Sequence, residues 1–146
     1  MVSIIVCTYN REKYLQKVFE SIITQKEHGL IFEVVIIDNN SPDNTKEVSL
    51  NFINSYPEID ARYVLETRQG ISFGRSRGFE EAKYKYVAYS DDDAYYADNY
   101  FEELENFILT NPNVTAFGGK VLLDYEANHP PKWESKYISS ILGYFN

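Results

Sequence analysis

Apolar and polar positions in this chain fall into two alternating rhythms. Short β-branched runs lie at residues 2–7 (Val-Ser-Ile-Ile-Val-Cys) and 32–37 (Phe-Glu-Val-Val-Ile-Ile). Such runs predict strands buried on both faces, as in a parallel sheet. Between them Tyr14, Leu15, Val18, Phe19, Ile22 and Ile23 recur at helical spacing and predict an amphipathic helix ending before Gly29. Ser41 followed by Pro42 reads as the N-cap and first turn of a second helix carrying Val48, Phe52 and Ile53, which Tyr56-Pro57 stops. A shorter strand is predicted at 62–66. Residues 67–78 read as a loop, followed by a helix to about Lys83, then a fourth strand at 86–90. Tyr100, Phe101, Leu104, Phe107 and Ile108 mark another helix, closed by Asn111-Pro112-Asn113. A last strand is predicted over 114–123, bent at Gly118-Gly119. Four strand–helix alternations predict a mostly parallel, right-handed α/β sheet with helices on both faces.

Composition narrows the classes. The chain has 146 residues, enough for one domain with a core, and the expectation is a single domain over 1–146. The net charge of -8 argues against nucleic acid as a partner, because phosphate backbones need a basic footprint. It leaves room for a nucleotide, which needs only local cations. Cys7 is the lone cysteine, so no internal disulfide can form and a reducing, cytoplasmic location is expected, extending to the inner face of the membrane. The opening residues show no basic leader, and no apolar run approaches the roughly 20 residues of a membrane span. His28 and His129 have no ligand-like neighbours.

The candidate chemistry gathers at the strand ends. Asp91-Asp92-Asp93 directly follows the apolar fourth strand, which must therefore deliver three carboxylates to a solvent-facing edge. An isolated acidic triplet reads equally as a solvated turn; its position after a buried strand favours a ligand. Adjacent carboxylates repel unless a cation offsets them, and Mg²⁺ or Mn²⁺ takes carboxylate oxygens while keeping positions for phosphate. Asp91 and Asp93, alternate on an extended turn, can face one site. Thr8-Tyr9-Asn10-Arg11 offers a hydroxyl, an aromatic face, an amide and a cation, suited to a stacking base and a phosphate, or else to capping and packing on the first helix. Asp38, in the run Asp38-Asn39-Asn40-Ser41, can accept from a base N–H or a ribose hydroxyl, or serve a helix start. In a parallel sheet these three clusters share one edge. Arg68, Arg75 and Arg77 form a positive patch in an acidic chain. Gly70, Gly74 and Gly78 do not make a dinucleotide fingerprint, and no phosphate-binding loop ending in Gly-Lys is present.

Taken together, residues 2–11, the run from Val34 to Thr45, Gly70 with Gly74-Arg75-Ser76-Arg77-Gly78, and Asp91-Asp92-Asp93 resemble, in order and spacing, the motifs of family 2 glycosyltransferases of the GT-A fold. The resemblance covers residues 2 to 123 and implies transfer of a sugar, with inversion, from a UDP- or GDP-linked donor to a glycan or lipid-linked hydroxyl acceptor. It places Thr8, Tyr9 and Asp38 at the nucleobase, with Asn10, Arg11, Asn40 and Gly70 in the same nucleotide-binding segments. It puts Arg75 on the nucleotide, Asp91 near ribose and phosphate, and Asp93 on Mn²⁺ or Mg²⁺. Asp92 fills the variable position of the Asp-x-Asp motif, and Ser76 stands where relatives carry Asn. Pro130-Pro131-Lys132-Trp133 is similar to a linker in relatives that build bacterial surface polysaccharide. The resemblance also implies a general base well past Asp93. No Glu-Asp pair follows residue 123, so that base and the acceptor half of the fold are expected beyond Asn146. This chain alone is then expected to turn over poorly, and the apolar stretch 138–145 to promote pairing of two copies. A non-catalytic nucleotide-binding module and a nucleotidyltransferase are the alternatives. The latter is disfavoured because Thr8–Arg11 lacks a Gly-rich loop and a phosphate-binding Lys.

Overall fold

A computed structural model describes residues 1–124, apart from the side chains of Glu27 and His28. The expectations placed on those side chains, on His129, on Pro130–Trp133 and on 138–145 lie outside the described residues. The chain divides into two units, 1–110 and 111–146.

The first unit runs β1 (Val2–Thr8), α1 (Glu12–Thr24), a 3-10 turn (Gln25–His28), β2 (Phe32–Asp38), α2 (Thr45–Ser55), β3 (Asp60–Leu65), α3 (Ile71–Glu81), β4 (Tyr86–Asp91) and α4 (Tyr100–Thr110). The four strands form one parallel sheet in the order β3-β2-β1-β4. Every residue of β1 is buried, Ser3 and Thr8 included, as a largely apolar central strand covered on both faces requires.

Strand alternation sorts the apolar side chains into two layers. Val2, Ile4, Val6, Val34 and Ile36 meet Leu15, Val18, Phe19 and Ile22 of α1, Phe52 of α2, and Phe101 and Leu104 of α4. Phe19 and Phe52 stack with ring centroids 4.3 Å apart. Ile5, Cys7, Val35 and Ile37 form the other layer, under α3. The buried amide of Gln25 ties the end of α1 to the start of α4: its Nε2 donates to the Ala97 carbonyl at 2.9 Å, and its Oε1 accepts the Phe101 N–H at 2.9 Å. Gly29, at φ 80°, then turns the chain into β2 as a left-handed cap.

Three expectations are corrected. Helix α3 starts at Ile71, inside the segment expected to be loop, and contains Gly74 and Gly78. Both glycines face the sheet: a Cβ on Gly78 would collide with Ile5 Cγ2, and one on Gly74 would touch Cys7 Sγ at 3.8 Å. Close helix–sheet approach, rather than intrinsic propensity, sets this helix. Ser41 does not cap α2. The helix starts at Thr45, whose N–H reaches Asp43 Oδ1 at 3.1 Å, and the Ser41 hydroxyl instead accepts the Asn10 N–H at 3.0 Å. Asp43 and Glu12 also cap each other's segments, Glu12 N–H to Asp43 Oδ2 at 3.1 Å and Asn44 N–H to Glu12 Oε2 at 2.8 Å. In the second unit, residues 114–123 form no strand: a turn closes at Val114 on the Asn111 carbonyl (3.1 Å), and only Val121 makes an isolated bridge. A strand needs a continuous ladder partner, and Val114, Phe117, Val121 and Leu122 are exposed instead.

At the amino ends of the strands, opposite the candidate site, lies a carboxylate that the strand pattern did not single out. Glu33 is fully buried in β2. It accepts the Ser3 hydroxyl at 2.5 Å, Arg62 Nη1 at 2.5 Å and the Lys83 N–H at 2.6 Å. Burial alone would raise its pKa, but these three donors together hold it below the usual glutamate value. Arg62 also donates to the Glu81 carbonyl, so the network pins the end of α3 to three strands.

Candidate functional site

Register places the predicted residues on one edge. Thr8 pairs with Asp38, and Cys7 with Asp91. From β1 the chain passes to β2 on one side, while β4 lies on the other. The carboxyl ends of β1 and β4 therefore flank a topological switch point, where open α/β sheets bind ligands.

The loop after β1 carries Tyr9, whose ring is half exposed, and Asn10 at φ 56°; the loop after β2 carries Asn40 at φ 62°. Asparagine tolerates this left-handed backbone better than most residues. The two loops are joined by the Asn10–Ser41 hydrogen bond and by Asn39 N–H to the Thr8 carbonyl at 2.9 Å. Arg11 begins α1 with its guanidinium over the Tyr14 ring, 5.2 Å from the centroid. Asp38 is 2% exposed, and both its oxygens are engaged: Oδ1 accepts the Ser41 N–H at 2.8 Å and Oδ2 the Tyr63 hydroxyl at 2.7 Å. Burial and the Asp38 carboxylate raise the Tyr63 pKa, keeping the phenol a donor.

Asn39, between two predicted residues, is a hub that sequence reasoning missed. Its Nδ2 donates to the carbonyls of Glu66 (3.2 Å) and Arg68 (2.6 Å), and its Oδ1 accepts the Gly70 N–H at 2.8 Å. It thereby fixes the segment leading into α3, where Gly70 takes φ 131°, a conformation reserved for glycine. The available signal was a short amide side chain at a strand's carboxyl end.

The three arginines do not form one patch. Arg68 forks onto the buried Glu66 (Nε–Oε1 2.8 Å, Nη2–Oε2 2.7 Å) and holds that carboxyl down to about 2. Arg77 pairs with Glu81 at 2.7 Å. Arg75 alone of the three lies at the aspartates, its Nη2 3.4 Å from Asp91 Oδ1.

Asp91 and Asp93 are exposed, and Asp92 is half-buried between them. Asp92 Oδ2 accepts the Tyr9 N–H at 3.4 Å. The buried Thr8 hydroxyl, without a well-formed hydrogen bond, faces the same carboxylate. Burial raises the Asp92 pKa, and Thr8 and the Tyr9 N–H oppose the rise. The triplet thus splits into one inward residue that ties β4 to the β1 loop and two outward ones. Among the described residues no three Asp, Glu, His or Cys side chains group as a complete metal cage. Two exposed carboxylates fit a hard cation that takes its remaining ligands from phosphate and water, and the Arg75 guanidinium beside Asp91 shows that this edge accepts a positive charge.

A parallel sheet with carboxylate-bearing loops at its switch point defines an open α/β protein with a candidate ligand site at that edge. Its particular family follows from comparison: the family model described as "Glycosyl transferase family 2" matches residues 3–142, and the chain belongs to that family. It is 31% identical over 133 residues to the glucosyl-dolichyl phosphate glucuronosyltransferase of Haloferax volcanii, covering 88% of this chain and 41% of the relative. It superposes on the Pyrobaculum calidifontis mannosyltransferase PcManGT, solved with GDP-Man and Mn²⁺, with a TM-score of 0.68 and 25% identity over 73% of this chain and 32% of that one. It superposes on S. aureus TarS 1-349, solved with UDP-GlcNAc, with a TM-score of 0.62 and 25% identity over 76% of this chain and 32% of that one. The fold is GT-A. The chain spans half or less of the length of curated relatives it matches (50%, 41% and 28%). Among the described residues no helix is long and apolar enough to cross a membrane.

Proposed function

We propose that this chain binds the nucleotide-sugar donor of an inverting, metal-dependent glycosyltransferase that extends a glycan or lipid-linked acceptor in the building of surface polysaccharide. The observation that carries this reading is the convergence of Thr8–Arg11, Asp38–Asn40 and Asp91–Asp93 at the switch point, with Arg75 on the neighbouring helix. Tyr9 offers its exposed ring for stacking with a base, and Asp38 a carboxylate for a base N–H through the lone pairs left beside its bonds to Ser41 and Tyr63. Asp91 and Asp93 would hold a divalent ion, which when bound neutralises the charge of a departing diphosphate. Arg11 and Arg75 supply local cations for phosphate in a chain of net charge -8. The two superposed enzymes bound to nucleotide sugars support the donor class, and the archaeal relative, which acts on a glucosyl-dolichyl phosphate, supports a lipid-linked acceptor. No described residue is assigned as the base that takes the acceptor's proton.

Isothermal calorimetry tests this. UDP or GDP should bind in the presence of Mn²⁺, and chelating the metal with EDTA should weaken binding. Asp93→Asn should reduce affinity in Mn²⁺ by about tenfold or more while leaving metal-free binding unchanged. Absence of heat with both nucleotides in Mn²⁺ would sink the reading.

A further inference from the structure

Arg75 is the cation nearest the carboxylates proposed as metal ligands, and its position conflicts with theirs. Its Nη2 stands 3.4 Å from Asp91 Oδ1. A guanidinium there repels a divalent ion approaching the same oxygen and offers Asp91 a competing partner. The residue is anchored at its root and loose at its head. The Tyr89 hydroxyl donates to the Arg75 carbonyl at 2.9 Å, and the guanidinium carbon lies 5.9 Å from the centre of the Tyr89 ring, yet half of the side chain is exposed. Arg68 and Arg77 are committed to Glu66 and Glu81 and do not share this position.

Resting on the donor-site reading above, we propose that Arg75 exchanges between two anions. With the site empty it neutralises Asp91; when a nucleoside diphosphate enters, it moves to the phosphate and frees Asp91 for the metal. Metal and nucleotide then bind cooperatively, and by linkage each raises the other's affinity by the same factor. The exchange also keeps the acidic edge from collecting divalent cations when no donor is present.

The test compares wild type, Arg75→Met and Arg77→Met, the last removing the same charge from the same helix away from Asp91. Mn²⁺ alone is titrated by electron paramagnetic resonance, and UDP and GDP are titrated by calorimetry with and without Mn²⁺. Arg75→Met should bind Mn²⁺ alone about three- to tenfold more tightly than wild type, bind nucleotide more weakly, and lose most of the Mn²⁺–nucleotide coupling. Arg77→Met should match wild type throughout. Equal Mn²⁺ affinity in all three proteins, including none detectable, or coupling retained in Arg75→Met, overturns the exchange. Wild type that binds neither nucleotide under any condition overturns the donor-site reading instead.

Discussion

At the residue scale the glycines of α3 carry the clearest stability argument. Gly78 lies where Ile5 leaves no room for a methyl group. Gly78→Ala should therefore cost about 1–3 kcal/mol, because overpacking outweighs the gain in helix propensity. Urea denaturation measures this, and a variant as stable as wild type would mean that α3 lifts off the sheet without penalty. The same glycines show why the onset of α3 was not legible. Glycine disfavours helix in isolation, and what reverses that preference is a contact with β1 that no local pattern displays. Ser41 misled for a related reason. A serine before proline is a good cap, but here Asn10 claims its hydroxyl across 31 positions of sequence. The candidate residues were legible by their position at strand ends, which the register bears out for Thr8, Asp38 and Asp91; Asn39 and Tyr63 were not, because they act on that edge through other residues.

At the scale of elements, short runs dominated by apolar residues made β1, β2 and β4 readable, and the helical repeats located α1 and α4. Glu33 is the exception within β2, a charge in a run that otherwise reads as fully apolar. Its folded pKa is depressed, so its contribution to stability is complete above the ordinary glutamate value of about 4.3 and is lost as pH falls through the lowered value. Glu33→Gln should destabilise the protein by about 2–3 kcal/mol at neutral pH, since it removes the buried anionic partner of Arg62 and leaves only the longer pair to Glu81 at 3.7 Å. The variant should also lose part of the acid-induced fall in stability below pH ~4. Thermal unfolding from pH 3 to 7 checks both, and parallel stability curves for the two proteins would contradict the assignment. The stretch 114–123 shows the converse limit: composition can suit a strand where no ladder forms.

At the scale of the whole molecule, strand order decides the site, and strand order is not written in local patterns. Four alternations predict a parallel sheet but not that β4 lies beside β1. Since the site draws on loops from β1, β2 and β4 and on α3, a bound donor should quieten all of them together. Hydrogen exchange with UDP or GDP plus Mn²⁺ should show protection at 8–11, 38–41, 70–75 and 91–93 in concert. Protection confined to one of these segments would mean they do not form a single pocket. The adjacency of β1 and β4 also has a consequence in time. Val2 pairs with Tyr86, and Cys7 with Asp91, so the pairing that completes the edge joins the first and the fourth of the described strands. A chain emerging from the ribosome can dock β2 and β3 early, but it carries an open flank on β1 until Tyr86–Asp91 is made. Of the four described strands β4 is made last, so the proposed donor site has no complete edge, and nothing for a nucleotide to stabilise, until it arrives.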